Sequence, residues 1–283
     1  MIIDTHVHVW DLDKAEYPWL TGDTSLLNQT WRLEQLEEER KIAGVSVGVL
    51  VQAASNLEDT ENMLQAAERN DWIKGVVGWI PLQQPAAAQD LLDKKYFKHP
   101  YLRGIRHQIH DEPDPKWLLQ PEVIDSLRLL AERDIPFDIV AVLPEHIETV
   151  ITVSEIIPGL RMVFDHLAQP PISSKERFGR WGELMKEAAR HSNLYAKISG
   201  LGTASKNFKN WKVDELSPYI EFTLQQFGTE RCFCGGDWPV CLLAGTYSQV
   251  WKAYQTILDR LLNKEDTEKV FWKNAVRFYG LIV

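Results

Sequence analysis

Met1-Ile2-Ile3-Asp4-Thr5-His6-Val7-His8 opens the chain, and this stretch decides how the rest is read. An apolar lead-in that runs into two imidazoles reads as a strand carrying chemistry at its end. Side chains two apart on a strand share a face, so Asp4, His6 and His8 are expected together, with Ile3, Thr5 and Val7 on the other side. Two histidines aimed at one spot suit a divalent metal, or a carbonyl oxygen that must be polarised. The plainer alternative is a pair of histidines hydrogen-bonded within a core.

Outward from that strand, short β-branched runs alternate with helical patterns. Strands are predicted at Ile2–Val9, Val45–Gln52, Ile73–Ile80, Leu102–Gln108, Pro136–Val142, Arg161–His166, Leu194–Ser199 and Arg231–Asp237. Helices are predicted between them at Leu33–Ile42, Glu58–Arg69, Ala86–Lys94, Glu122–Arg133, Pro144–Ile157, Glu176–His191, Asp214–Phe227 and Tyr247–Leu262, and a last helix at Lys264–Tyr279. Strict alternation implies a parallel sheet, and eight units are the number that closes an α/β chain into a (β/α)8 TIM barrel. An open doubly wound sheet would carry a glycine-rich turn after the first strand, where this chain has His-Val-His-Val-Trp-Asp. No repeat or linker divides the chain, so residues 1–283 read as one domain with a C-terminal helix. The long irregular stretches Trp10–Trp31, Ile109–Gln120, Leu167–Lys175 and Gly200–Val213 all follow strands, on the end where barrels build their sites.

The totals narrow the function. A net charge of −9 leaves no electrostatic footprint for nucleic acid or an anionic membrane, and no apolar run is long enough to span a bilayer. No signal peptide is evident, and three cysteines (Cys232, Cys234, Cys241) argue against a disulfide framework, so a cytoplasmic location is expected. A homo-oligomer stays open.

Several strands end in polar residues that an apolar barrel core would not choose: His6 and His8, Gln52, Arg106 with His107 and Gln108, Asp165-His166, Lys197, and Gly235-Gly236-Asp237-Trp238. Asp237 follows two glycines that let the backbone bring its carboxylate near the axis, where it can take a proton from water; the alternative is a turn aspartate. Lys197 inside a barrel needs an anion, either Asp237 or a substrate oxygen. Cys232 and Cys234 have the opposite parity to Asp237 and read as filler against the helices. Trp238, beside Asp237, is the tryptophan best placed to stack on a ring. No nucleophile elbow, phosphate loop or dinucleotide fingerprint occurs, which points to carboxylate-activated water.

Asp-Thr-His-Val-His, Gly-Ile-Arg-His, Phe-Asp-His-Leu-Ala-Gln-Pro, Lys-Ile-Ser-Gly-Leu and Gly-Gly-Asp-Trp-Pro, in that order, resemble the lactonase branch of the amidohydrolase superfamily. This branch includes L-fuconolactonases, L-rhamnonolactonases and 2-pyrone-4,6-dicarboxylate lactonase. The resemblance implies Asp237 as general base, with His166 as its catalytic partner. It implies that His6, His8, His166 and Asp237 either hold one divalent ion, zinc first, or act without metal. Arg106, His107, Gln52, Lys197 and Trp238 are the candidate substrate contacts; Arg106 and His107 alternate on their strand, so one of them points inward, and Arg106 is favoured over His107. Strand four lacks a lysine to bridge two metals and strand five lacks a histidine, so a binuclear site is not expected. A lone clear arginine beside neutral groups suits a small-molecule sugar lactone better than a dicarboxylate. The alternatives are a metal-dependent decarboxylase or hydratase of an unsaturated carboxylic acid, and a non-catalytic sugar-acid binding protein.

Overall fold

The computed structural model describes residues 1–174, 177–208 and 210–283. Eight parallel strands form one sheet in sequential order. They are β1 (Ile3–Val7), β2 (Val47–Val51), β3 (Ile73–Gly78), β4 (Leu102–His107), β5 (Phe137–Ile139), β6 (Met162–Phe164), β7 (Leu194–Ile198) and β8 (Cys232–Cys234). Each lies inside its expected span. β6 and β8 are short because the chain leaves the ladder early: His166 and Asp237 already carry left-handed φ angles of 53° and 59°. The ring closes just beyond β8. The His8 amide donates to the Trp238 carbonyl at 2.7 Å and the Asp237 amide to the His6 carbonyl at 2.8 Å. The architecture is the expected (β/α)8 barrel.

The helices are α1 (Glu37–Ala43), α2 (Leu57–Glu68), α3 (Pro85–Leu91), α4 (Pro121–Glu132), α5 (Pro144–Ile156), α6 (Gly179–Ala188), α7 (Leu201–Ala204), α8 (Val213–Phe227), α9 (Tyr247–Leu261), α10 (Lys264–Glu268) and α11 (Asn274–Tyr279). Local chemistry sets several of their starts. Asn56 accepts the Asp59 amide at 2.8 Å to cap α2, while Pro121 and Pro144 occupy first helical positions. The helix expected over Glu176–His191 begins at Gly179; Glu176, and Lys175 at the end of an expected loop, lie outside the described residues. A π-helical turn at Lys269–Lys273 interrupts the expected Lys264–Tyr279 helix.

Two apolar clusters result. The larger fills the space between strands and helices, and Cys232 and Cys234 belong to it, as their parity predicts. The smaller lies inside the barrel: Ile3, Val47, Val49, Val51, Val77, Val163 and Phe233 meet Ala275, Phe278, Tyr279 and Leu281. The C-terminal segment therefore plugs the end where the strands begin, leaving the other end for chemistry.

One expectation is corrected. Pairing between β1 and β2 shifts register between Asp4 and Val7, which breaks the period of two. Ile3 faces the barrel interior and Asp4 turns to the helix layer, accepting from the Tyr247 hydroxyl at 2.6 Å. His6 and His8 nevertheless face inward. Asp4 does not share their face.

Phe278 is 1% exposed and packs on Phe233 (5.2 Å between ring centres) and Tyr195 (4.7 Å). Phe278→Ala should lower the unfolding free energy by about 3–5 kcal/mol in urea titrations with an unchanged slope.

Candidate functional site

At the open end, a cavity of about 380 Å³ is floored by His8, Arg106, His166 and Asp237, all buried. Trp10, Trp19, Leu27, Ala53, Val140 and Val142 build an apolar wall, and Gln108, His110, Gln169 and Thr203 add polar groups. Asp237 Oδ1 lies 3.5 Å from His8 Nε2 and 3.8 Å from His6 Nε2. His6 touches both neighbouring imidazoles, with ring centres 4.8 Å from His8 and 4.6 Å from His166.

Hydrogen bonds orient the imidazoles. His8 Nδ1 meets the Val51 carbonyl at 2.7 Å; a carbonyl only accepts, so Nδ1 donates and Nε2 is the nitrogen turned to Asp237. The Ser199 hydroxyl accepts the His166 amide at 3.2 Å and sits 2.9 Å from His166 Nδ1. These two contacts fix the orientation of the His166 ring. Burial pushes His166 below the usual histidine range against the pull of Asp237 and Asp165. It pushes His6 well below that range, with Lys197 acting the same way and Asp165 opposing. Gly200 makes the approach possible: its φ is +60°, and a Cβ there would lie 2.5 Å from His166 Nδ1 and 3.0 Å from Asp237 Oδ2.

Beneath the floor runs a buried charge network. Lys197 Nζ bonds Asp138 at 2.6 Å and Asp165 at 2.7 Å, and stands 3.2 Å from His6 Nδ1. Arg106 pairs with Asp165 at 3.1 Å, and the Tyr279 hydroxyl donates to Asp138 at 2.7 Å. At Asp165 the cost of burial is outweighed by Lys197, His6 and Arg106, so its carboxyl stays well below the usual range. Burial pushes Asp138 up to about 6.

This geometry sorts the expected site residues. Asp237, His166, His8 and Arg106 line the cavity, and His6 is directly behind them. Four expected substrate contacts lie outside the lining. Gln52 is fully buried and accepts from Arg106 Nε at 3.1 Å, so it orients the guanidinium. Lys197 is fully buried, and its anions are Asp138 and Asp165 rather than Asp237. His107 points outward, where it stacks on Trp117 (4.1 Å) and bonds Glu112 at 2.7 Å. Trp238 packs edge-on against Trp31 at 5.3 Å. Sequence reasoning missed Asp138 and Ser199. A lone aspartate amid Pro-Phe-Asp-Ile-Val was the available sign of the first, given a lysine elsewhere that needed an anion.

The residues present fit one divalent ion. Ligand atoms of His6, His8 and Asp237 all lie within 4.8 Å of one another and are buried. The Val51 carbonyl accepts from His8 Nδ1–H, which leaves Nε2 as the nitrogen that would face a metal. Two imidazoles and a carboxylate suit zinc. Stripped protein should take up one zinc per chain in a chelator-competition titration, with His8→Ala weakening uptake at least about tenfold.

The cavity wall is itself pinned by a buried acid. Asp59 accepts the amides of Ala53 (2.8 Å) and Ala54 (3.2 Å) and the Tyr17 hydroxyl (2.9 Å). Burial raises its pKa from 3.8 to about 6. A raised folded-state value means that the folded chain binds the proton more tightly. The stability linked to it is full below about 3.8 and lost as pH climbs through about 6. Relative to Asp59→Asn, the wild type should therefore gain about 3 kcal/mol on acidification across that window, read from denaturant unfolding.

The amidohydrolase family profile matches residues 3–281. L-fucono-1,5-lactonase of Burkholderia ambifaria is 31% identical, covering 99% of this chain and 95% of its own length. L-fucono-1,5-lactonase of Burkholderia multivorans is 26% identical, covering 99% and 96%. Among solved structures, an amidohydrolase from Burkholderia multivorans with bound zinc superposes with a TM-score of 0.91 at 25% identity, over 100% of both chains. From Ile3 to Leu281, the chain belongs to the amidohydrolase family.

Proposed function

We propose that the protein hydrolyses a sugar-acid lactone of the L-fucono or L-rhamnono type to the free aldonate. One observation carries the reading: Asp237 stands at the floor of the cavity beside the Nε2 atoms of His6 and His8, with the His166 imidazole and the Arg106 guanidinium in the same floor. That set activates water and stabilises an oxyanion, and it holds no serine or cysteine nucleophile among the lining residues. The names of the two Burkholderia relatives support the substrate class.

In this reading Asp237 takes a proton from water, whose oxygen bonds to the lactone carbonyl carbon. The tetrahedral oxyanion is met by the His166 imidazole and by Arg106. Collapse breaks the ring C–O bond, and Asp237 returns its proton to the departing hydroxyl. The new carboxylic acid then ionises. Asp165 and Gln52 keep Arg106 in place, and Ser199 orients the His166 ring. A divalent ion held by His6, His8 and Asp237 would polarise the carbonyl and acidify the water. In the apolar wall Trp19, backed by the buried Trp10, offers a ring face and excludes bulk water. Arg106 is the lone lysine or arginine among the lining residues, which favours a hydroxylated neutral lactone over a polycarboxylate.

The test is a pH-indicator assay over a panel of aldonolactones, run on metal-stripped and zinc-restored protein. Turnover of an L-fucono or L-rhamnono lactone is expected, and Asp237→Asn should lower kcat about 10²–10⁴-fold. Most of the turnover surviving in that variant would defeat the mechanism. No turnover on any lactone would defeat the substrate class.

A further inference from the structure

Four arginines gather at the opposite end of the barrel, where β4, β5 and β6 begin. Arg103, Arg133, Arg161 and Arg277 line one cavity of about 230 Å³, together with Tyr96 and Tyr279. They come from β4, the end of α4, the residue before β6, and α11, so only the tertiary fold assembles them. Four guanidiniums face one lining carboxylate, Asp134, on a chain whose net charge is −9.

Three of the four are matched. Arg133 pairs with Asp93 at 2.7 Å, Arg161 with Asp134 at 2.8 Å and Arg277 with Glu230 at 3.3 Å. Arg103 is not. Among the described residues it pairs with no carboxylate; its Nη1 donates to the Leu102 carbonyl at 3.3 Å, and its Nε is buried with no partner. A guanidinium stays charged in a protein, and a partly desolvated charge without a counter-ion is costly. Burial accordingly pulls the Arg103 pKa down. The planar fork of arginine matches the paired oxygens of phosphate and carboxylate, and a cavity of this size admits such a group with a small substituent.

We propose that this arginine cavity binds a compact, multiply charged oxyanion, a phosphate ester or a polycarboxylate, with Arg103 as its principal partner. The site is separate from the candidate catalytic centre, because its lining comes from strand beginnings and the other from strand ends. It does not depend on which reaction the protein performs.

Calorimetric titration of the full chain with inorganic phosphate, pyrophosphate and citrate at fixed ionic strength tests the assignment. Saturable one-to-one binding is expected, weakened at least about tenfold in Arg103→Gln. Arg277→Gln, on a more exposed residue, should weaken it too and decides the matter if the first variant folds poorly. Tighter pyrophosphate would identify the phosphate class, and tighter citrate the polycarboxylate class. The proposal is overturned if none of the three anions saturates in the millimolar range, or if both variants bind as wild type does. It is equally overturned if binding is lost in Arg106→Gln instead, which would place the anion at the other end.

Discussion

The site hangs on one buried carboxylate, that of Asp4. It accepts the amides of His6 and Gly236, both at 2.8 Å, and the Tyr247 hydroxyl at 2.6 Å, so it joins β1, the turn after β8 and α9 at the barrel seam. The two histidines and Asp237 leave from either side of that seam. Any slack there would move the ligand atoms relative to one another. The approach is close enough that a Cβ on Gly236 would lie 2.6 Å from Asp4 Oδ2, which explains a glycine at that position in physical terms. Burial pushes Asp4 up to about 6 despite its three donors, a sign of how completely the seam excludes water.

Below the seam, the chain solves a problem that any catalytic floor inside a barrel faces. Arg106 and Lys197 bring two positive charges into a core, and Asp165 and Asp138 answer them. Such networks add little net stability, yet removing one partner of a buried pair costs about 3–5 kcal/mol. Their value here is positional. Asp165 touches both Arg106 and His6, Lys197 links the two aspartates, and Tyr279 ties the last of them to the C-terminal plug. The plug that fills the lower barrel is thus also the lower anchor of the site.

The two ends of the barrel divide their electrostatics. At the upper end a carboxylate stands among imidazoles under an apolar wall, which suits proton transfer from water near an uncharged ring ester. At the lower end four guanidiniums gather around one lining carboxylate. Three of those four are paired with carboxylates, so the unmatched charge of the lower end is that of Arg103.

By itself the sequence determined the eight strands, their order, the parallel barrel and the end of it that carries chemistry. Those features follow from hydrophobic period, turn residues and connection length, which are local. It also singled out His6, His8, Arg106, His166 and Asp237, since polar residues at strand ends are out of place in an apolar core. Only the tertiary structure decided which polar side chains reach the cavity. A register break turned Asp4 away from His6 and His8, and strand parity sent His107 to Trp117. Lys197 found Asp138 on β5 and Asp165 just past the end of β6, and Gln52 was taken by Arg106. In each case the deciding partner lies on another strand or helix. Burial makes a charge or donor seek its complement in space, and no spacing along the chain records where that complement stands.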